Sequence, residues 1–159
     1  MENHKEKQMR YADLKERLKK ALKQEFWFEA CLIEYAIIED RTASILYHSK
    51  VCLNAFDSNK KLSNKLNSIE HQIGKKHPII APKVTKETVE FIRQWKDKRN
   101  DLVHRACDLY REDLAKDIAL DGALAVKRIS NESAKVTRLV KKLQQAEAVA
   151  APASQMNTL

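Results

Sequence analysis

Gly74 and Gly122 are the only glycines in 159 residues, and Pro78, Pro82 and Pro152 the only prolines. A chain so poor in turn-formers has little from which to build β-hairpins, whose tight connections draw on residues that accept positive or fixed φ. Alanine, leucine, lysine and glutamate dominate instead, and all four favour helix. The expected fold is all-α, an antiparallel up-and-down bundle of four to five helices, and the length suits a single domain with one core.

Apolar periodicity divides the chain. A first amphipathic helix is expected over about Lys7–Lys23, with Leu14, Leu18, Ala21 and Leu22 on one side. A second runs from about Glu25 to Val51 and is apolar nearly all round in its first half, so neighbours or a second subunit must cover it on several sides. Asp57 or Ser58 is placed to cap a third, about Asn59–Ile73, which Gly74 would stop. The stretch "HPIIAP" predicts an extended link, since each proline disfavours helix in the residue before it. Thr85 suits the N-cap of a fourth helix, about Lys86–Leu109. A fifth covers about Glu112–Glu147, with Gly122 inside it, either continuous or broken near "SNES". Leu114, Ile118, Leu124, Ile129, Val136, Leu139 and Leu143 supply its apolar side. Residues 1–147 thus form one helical domain, and 148–159 are expected as a flexible C-terminal tail.

Several chemistries find no footing. Cys31, Cys52 and Cys107 are odd in number and scattered, which points to reduced thiols in a cytoplasmic protein rather than a disulfide frame. The opening "MENHKEKQMRYADLKERLKK" is too charged for a signal peptide. The most apolar window, "FWFEACLIEYAII", is too short to span a bilayer and holds Glu29 and Glu34, so no membrane association is expected. His71 and His77 straddle Gly74 without metal-ligand spacing, and neither a glycine-rich phosphate loop nor a serine elbow is present. No metal or cofactor is expected. Trp27, Trp95, Phe26 and Phe91 read either as core packing or as platforms for base stacking.

The positive charge is concentrated. Residues 58–105 carry 12 basic and 5 acidic groups, so +7 of the net +8 lies in this one segment. It is either a lysine-rich solvated surface or a field suited to a polyanion such as nucleic acid. Within it, the heptad-spaced row of the fourth helix reads Ile92, Trp95, Arg99, Leu102, Ala106, Leu109. Arg99 interrupts that core-facing row and must snorkel, find a carboxylate, or face a cleft that takes an anion. Arg99 and His104 lie about 140° apart round the helix, whereas Asn100 and His104 share a face. Such an arrangement fits a groove between two copies of one helix better than a flat site. On the second helix Glu34, Arg41 and His48 recur every seven residues, with Glu39 and Asp40 nearby. Glu34, Asp40 and Arg41 serve either as structural ion pairs, with Arg99 or with one another, or as polar support that positions the Arg99–His104 site.

Arg99 and Asn100 followed by His104, late in a small basic helical chain, resemble the HEPN superfamily, whose ribonuclease members carry R-x4-6-H. The literal motif covers six residues, and the helical plan extends the likeness over most of the chain. The resemblance implies a homodimer in which two motifs meet in one cleft and cleave RNA without metal, in toxin, phage-defence or RNA-processing roles, with an antitoxin or regulatory protein as partner. The toxin branch paired with a nucleotidyltransferase has tyrosine two residues after the histidine, and Ala106 departs from it. In the implied chemistry the ribose 2′-hydroxyl is the nucleophile. His104 moves protons, Arg99 holds phosphate oxygens in a fork, and Asn100 orients histidine or phosphate. Lys96, Lys98 and Arg105 would add attraction to the RNA backbone. The rival expectation is a non-catalytic helical module that binds RNA or protein through its basic face.

Overall fold

Helices α1 (His4–Lys23), α2 (Trp27–His48), α3 (Leu62–Gly74), α4 (Lys86–His104), α5 (Ala106–Leu109) and α6 (Glu112–Ser154) make up the fold, with no strand among the described residues. This computed structural model describes the backbone of residues 4–154 and the side chains of 5–151 except Leu109. The expected all-α bundle is present, and no described helix is long and apolar enough to cross a membrane.

The most extensive contact joins α2 and α6. Ala30, Cys31, Ile37, Ile38 and Ile45 of α2 are fully buried, as are Ala115, Ala119, Ala125, Ile129 and Val136 of α6. This explains why α2 is apolar on most of its circumference: α1, α3, α4 and α6 all pack on it. The α2–α6 pair runs parallel, since Lys116 lies 5.7 Å from the Trp27 ring while Ser44 and His48 share a cavity with Thr137 and Lys141. By contrast α4 is antiparallel to α6. Thr85 and Thr88 donate to Glu132 (3.0 and 2.8 Å), and Trp95 Nε1 donates to the Ile118 carbonyl (2.9 Å). α1 is antiparallel to both α2 and α6: Lys7 pairs with Asp40, and the Tyr11 and Ser130 hydroxyls share a hydrogen bond at 3.1 Å.

Three helices end in the same way. The N–H groups of Glu25 and Phe26 reach back to Leu22 and Ala21, those of Lys50 and Val51 to Tyr47 and Leu46, and those of Lys76 and His77 to Ile73 and Gln72. This paired 5→2 and 6→1 bonding is the Schellman stop. Its left-handed residue is Glu25 (φ 59°), Lys50 (φ 60°) and Lys76 (φ 55°), never glycine. α3 does end at Gly74, as expected, but the left-handed position of its stop is Lys76 rather than the glycine.

Other boundaries move for local reasons. Asp57 Oδ1 accepts from the Asn59 N–H (2.9 Å) and the Asp57 carbonyl from Lys60, so Asp57 closes a turn rather than capping α3, which begins at Leu62. "HPIIAP" is wound into turns instead of extended. The His77 ring Nδ1 accepts from the Ile79 and Ile80 N–H groups, Ala81 N–H bonds back to His77, and Ile80 is fully buried. Thr85 caps α4 as expected, its hydroxyl accepting from the Thr88 N–H at 3.2 Å. α4 stops at His104, short of Leu109; Leu102 is its last buried residue, and α5 is a single turn leading to α6. There is no break at "SNES", because Glu132 and Ser133 point inward and Glu132 is held by the two threonines. α6 continues past Glu147 through residues 148–154, the first part of the expected tail, while 155–159 lie outside the described residues. Ile118, Ile129 and Val136 are buried, but Leu114, Leu124 and Leu143 are exposed.

Candidate active site

The last two turns of α4 hold every residue of the arginine–histidine motif. Arg99 lies on the core-facing side of α4 and is half-buried against α2, its guanidinium carbon 4.4 Å from the centre of the Tyr35 ring. Its Nη1 donates to Asn100 Oδ1 at 3.1 Å, and its Nε is buried with no hydrogen-bond partner among the described residues. No carboxylate lies within ion-pairing distance of it among those residues, whereas Arg17, Arg41, Arg93 and Arg111 each have one. Burial pushes its pKa below the usual arginine value, and the neighbouring Tyr35 and Cys31 push it the other way. A guanidinium keeps its charge through such shifts, so a cation with unused donors is held at the α2–α4 seam.

Asn100 and His104 share a helix face one turn apart, as expected. The Asn100 oxygen is bound by Arg99, so this asparagine steadies the guanidinium. His104 is exposed and is the last residue of α4. Lys98 and Arg105 are also exposed and make no ion pair among the described residues. Lys96 departs from its expected role: its side chain is only 12 % exposed and its ammonium pairs with Asp97 at 2.7 Å. Other basic groups of the segment are likewise engaged within the fold, Lys65 with Glu39 and Arg93 with Glu70 and Glu90, and of these carboxylates only Glu39 lies outside the segment and draws on its excess.

The polar support expected from α2 does not gather round Arg99. Glu34 is completely buried and neither carboxylate oxygen has a hydrogen-bond partner among the described residues. It rests against Gly122, where a Cβ would collide with Oε2 and come within 2.8 Å of Trp95 Nε1. Burial raises the Glu34 pKa to about 9, so the group is neutral at ordinary pH and is no counter-ion for arginine. Asp40 and Arg41 bind each other, and Lys7 joins Asp40 at 3.3 Å while Tyr11 lies 4.0 Å under the Arg41 guanidinium. Arg41 is about 120° round α2 from Tyr35 and about 9 Å along it, which turns the pair toward α1.

Tyr35 and Cys31 are the neighbours that sequence reading missed. Both fall on the apolar row of α2 and read there as core. The available signal was their i,i+4 spacing beside a helix that must accommodate Arg99. Burial, with the nearby Glu34, pushes the Cys31 thiol up to about 12, leaving it an uncharged neighbour. Trp27 and Trp95 are core residues, and Phe26 is exposed. Among the described residues no group of three or more His, Cys, Asp or Glu side chains is placed to hold a metal ion.

Comparison with protein-family models, curated proteins and solved structures returned no match.

Proposed function

We propose that this chain is a cytoplasmic, metal-independent endoribonuclease of HEPN type, acting as a homodimer whose paired α4 helices form the cleft. The observation that carries the reading is Arg99: a half-buried arginine with no carboxylate partner among the described residues and a buried, unused Nε donor. An uncompensated guanidinium in a partly desolvated seam is costly, and a bound anion offsets that cost. One helical turn separates Asn100 from His104, so a phosphodiester held by Arg99 of one subunit would lie near an exposed imidazole of the pair.

In the proposed reaction an imidazole removes the proton of the ribose 2′-hydroxyl, whose oxygen attacks the adjacent phosphorus. The P–O5′ bond breaks, and a protonated imidazole supplies the leaving oxygen with its proton. Arg99 balances the charge that gathers on the non-bridging oxygens. Lys98 and Arg105 draw in the RNA backbone without reading its sequence. The products end in a 2′,3′-cyclic phosphate and a 5′-hydroxyl. A toxin or phage-defence role, restrained by an antitoxin or regulatory protein, suits such an activity.

Labelled RNA incubated with the full chain in excess chelator tests the reading. Wild type is expected to cleave RNA and leave the all-deoxy oligonucleotide intact. Arg99→Ala and His104→Ala should each lower the rate at least about 100-fold, in line with loss of an electrostatic or acid–base group. His104→Ala should retain most RNA binding. Binding without cleavage by wild type would establish the non-catalytic module instead. Cleavage that survives His104→Ala would remove histidine from the chemistry.

A further inference from the structure

A second site stands apart from the α4 motif. A cavity of about 600 Å³ opens between α1, the C-terminal half of α2, the connection after α2 and the distal part of α6. That volume is in the range of small-molecule sites. Lys7, Arg41 and Lys141 line it, with His48 beside them, and no carboxylate is among its lining residues. Asp40, just behind, bonds to both Lys7 and Arg41 and neutralises one charge between them. Lys141 is exposed and has no ion pair among the described residues, so the cavity keeps a positive excess.

Its remaining wall is aromatic. Tyr11, Tyr47 and Phe56 line it, the last two with ring centres 5.6 Å apart and still 43 % and 40 % exposed. Lys7 sits 3.0 Å from the centre of the Phe56 ring, and Arg41 caps Tyr11, so cations and ring faces alternate. Ser44 adds an independent sign. It lines the cavity at only 6 % exposure, yet its hydroxyl makes no hydrogen bond among the described residues. The hydroxyl opens onto the cavity, where an anion supplies an acceptor for it.

We infer that this cavity binds an aromatic phosphate monoester. The flat ring would pack among Tyr47, Phe56 and Tyr11, with the dianion held by Arg41, Lys141 and the Ser44 hydroxyl. Phosphate suits the site better than carboxylate because more than one cation and a hydroxyl donor line it. The inference does not depend on the proposed nuclease. Arg41 faces away from Tyr35 round α2, and the two sites share no residue.

Calorimetric titration of the full chain with 1-naphthyl phosphate, cyclohexyl phosphate, 1-naphthoate and inorganic phosphate is the test. The aromatic ester should bind at least about tenfold more tightly than either inorganic phosphate or the cyclohexyl ester, a margin expected of ring packing and stacking. Lys141→Gln and Phe56→Leu change exposed side chains, and Ser44→Ala removes a hydroxyl with no hydrogen bond among the described residues, so all three should keep the wild-type Tm. Each should weaken naphthyl phosphate about threefold to tenfold. Lys141→Gln should leave RNA cleavage unchanged. Equal affinity for inorganic phosphate would mean an adventitious anion only and overturn the inference, as would no binding at all. Naphthoate binding as tightly as the ester would overturn the assignment of phosphate, and three silent variants would overturn the location.

Discussion

Glu34 is under strong electrostatic stress, fully buried with two oxygens unpartnered among the described residues and a pKa raised from its ordinary 4.5 to about 9 by burial. A carboxyl with a raised folded-state pKa binds its proton more tightly in the folded chain than in the unfolded one. Its contribution to stability is complete below pH 4.5 and is lost as pH climbs toward 9. Glu34→Gln keeps the shape and removes the titration. The variant should match wild type near pH 5 and gain by up to ~1.4 kcal/mol per pH unit above that. Urea midpoints from pH 5 to 8.5 measure this, and parallel curves for the two proteins would refute a neutral Glu34. Glu132, also raised by burial but relieved by the Thr88 and Thr85 hydroxyls, has the same sign, so a smaller decline should persist in the variant. The sequence marks Arg99 and Glu34 equally clearly as charges on apolar rows. It does not mark that they form no ion pair, because adjacent α2 residues point about 100° apart: Tyr35 meets Arg99, while Glu34 turns toward Gly122 and Trp95.

Helix existence was readable because it follows from periodic burial, while helix ends depended on chemistry that the letters conceal. The five longer helices are visible as 3.6-residue patterns, and Thr85 is legible besides as the cap of α4. The stops are hidden since Glu25, Lys50 and Lys76 occupy left-handed positions where glycine is the usual sign. Each strains a β-carbon that glycine lacks. Glu25→Gly, Lys50→Gly and Lys76→Gly should therefore each stabilise the chain, by about 0.5–1 kcal/mol after the entropy that glycine adds to the unfolded state. Chemical denaturation of the single variants and the triple checks both sign and additivity, as the three turns do not touch one another in sequence. A loss of stability at any of them would mean that the turn there is not left-handed. The same reasoning explains "HPIIAP", in which a histidine ring accepting backbone N–H groups outweighs the extended bias of two prolines.

For the molecule as a whole, the gross charge overstates what a polyanion would meet. Of the basic residues in segment 58–105, Lys65, Arg93 and Lys96 are engaged by carboxylates of the fold, while Lys98 and Arg105 flank the motif exposed and unpaired among the described residues. The local field at the end of α4 is thus set by few side chains, and RNA attraction there should scale with those few. Each phosphate contact with single-stranded RNA contributes about −0.7 to the slope of log affinity against log salt. Replacing Lys98 and Arg105 together by glutamine should flatten the slope by about 1.4 and weaken binding at low salt, with little change near 0.5 M. Lys96→Gln should leave the slope nearly unchanged, because its ammonium is already held by Asp97. Filter binding of a non-cleaved RNA analogue across salt concentrations reads both numbers. If Lys96→Gln flattened the slope as much as the Lys98/Arg105 pair, Lys96 would be released from Asp97 to meet RNA along the α4 face that it shares with Asn100 and His104.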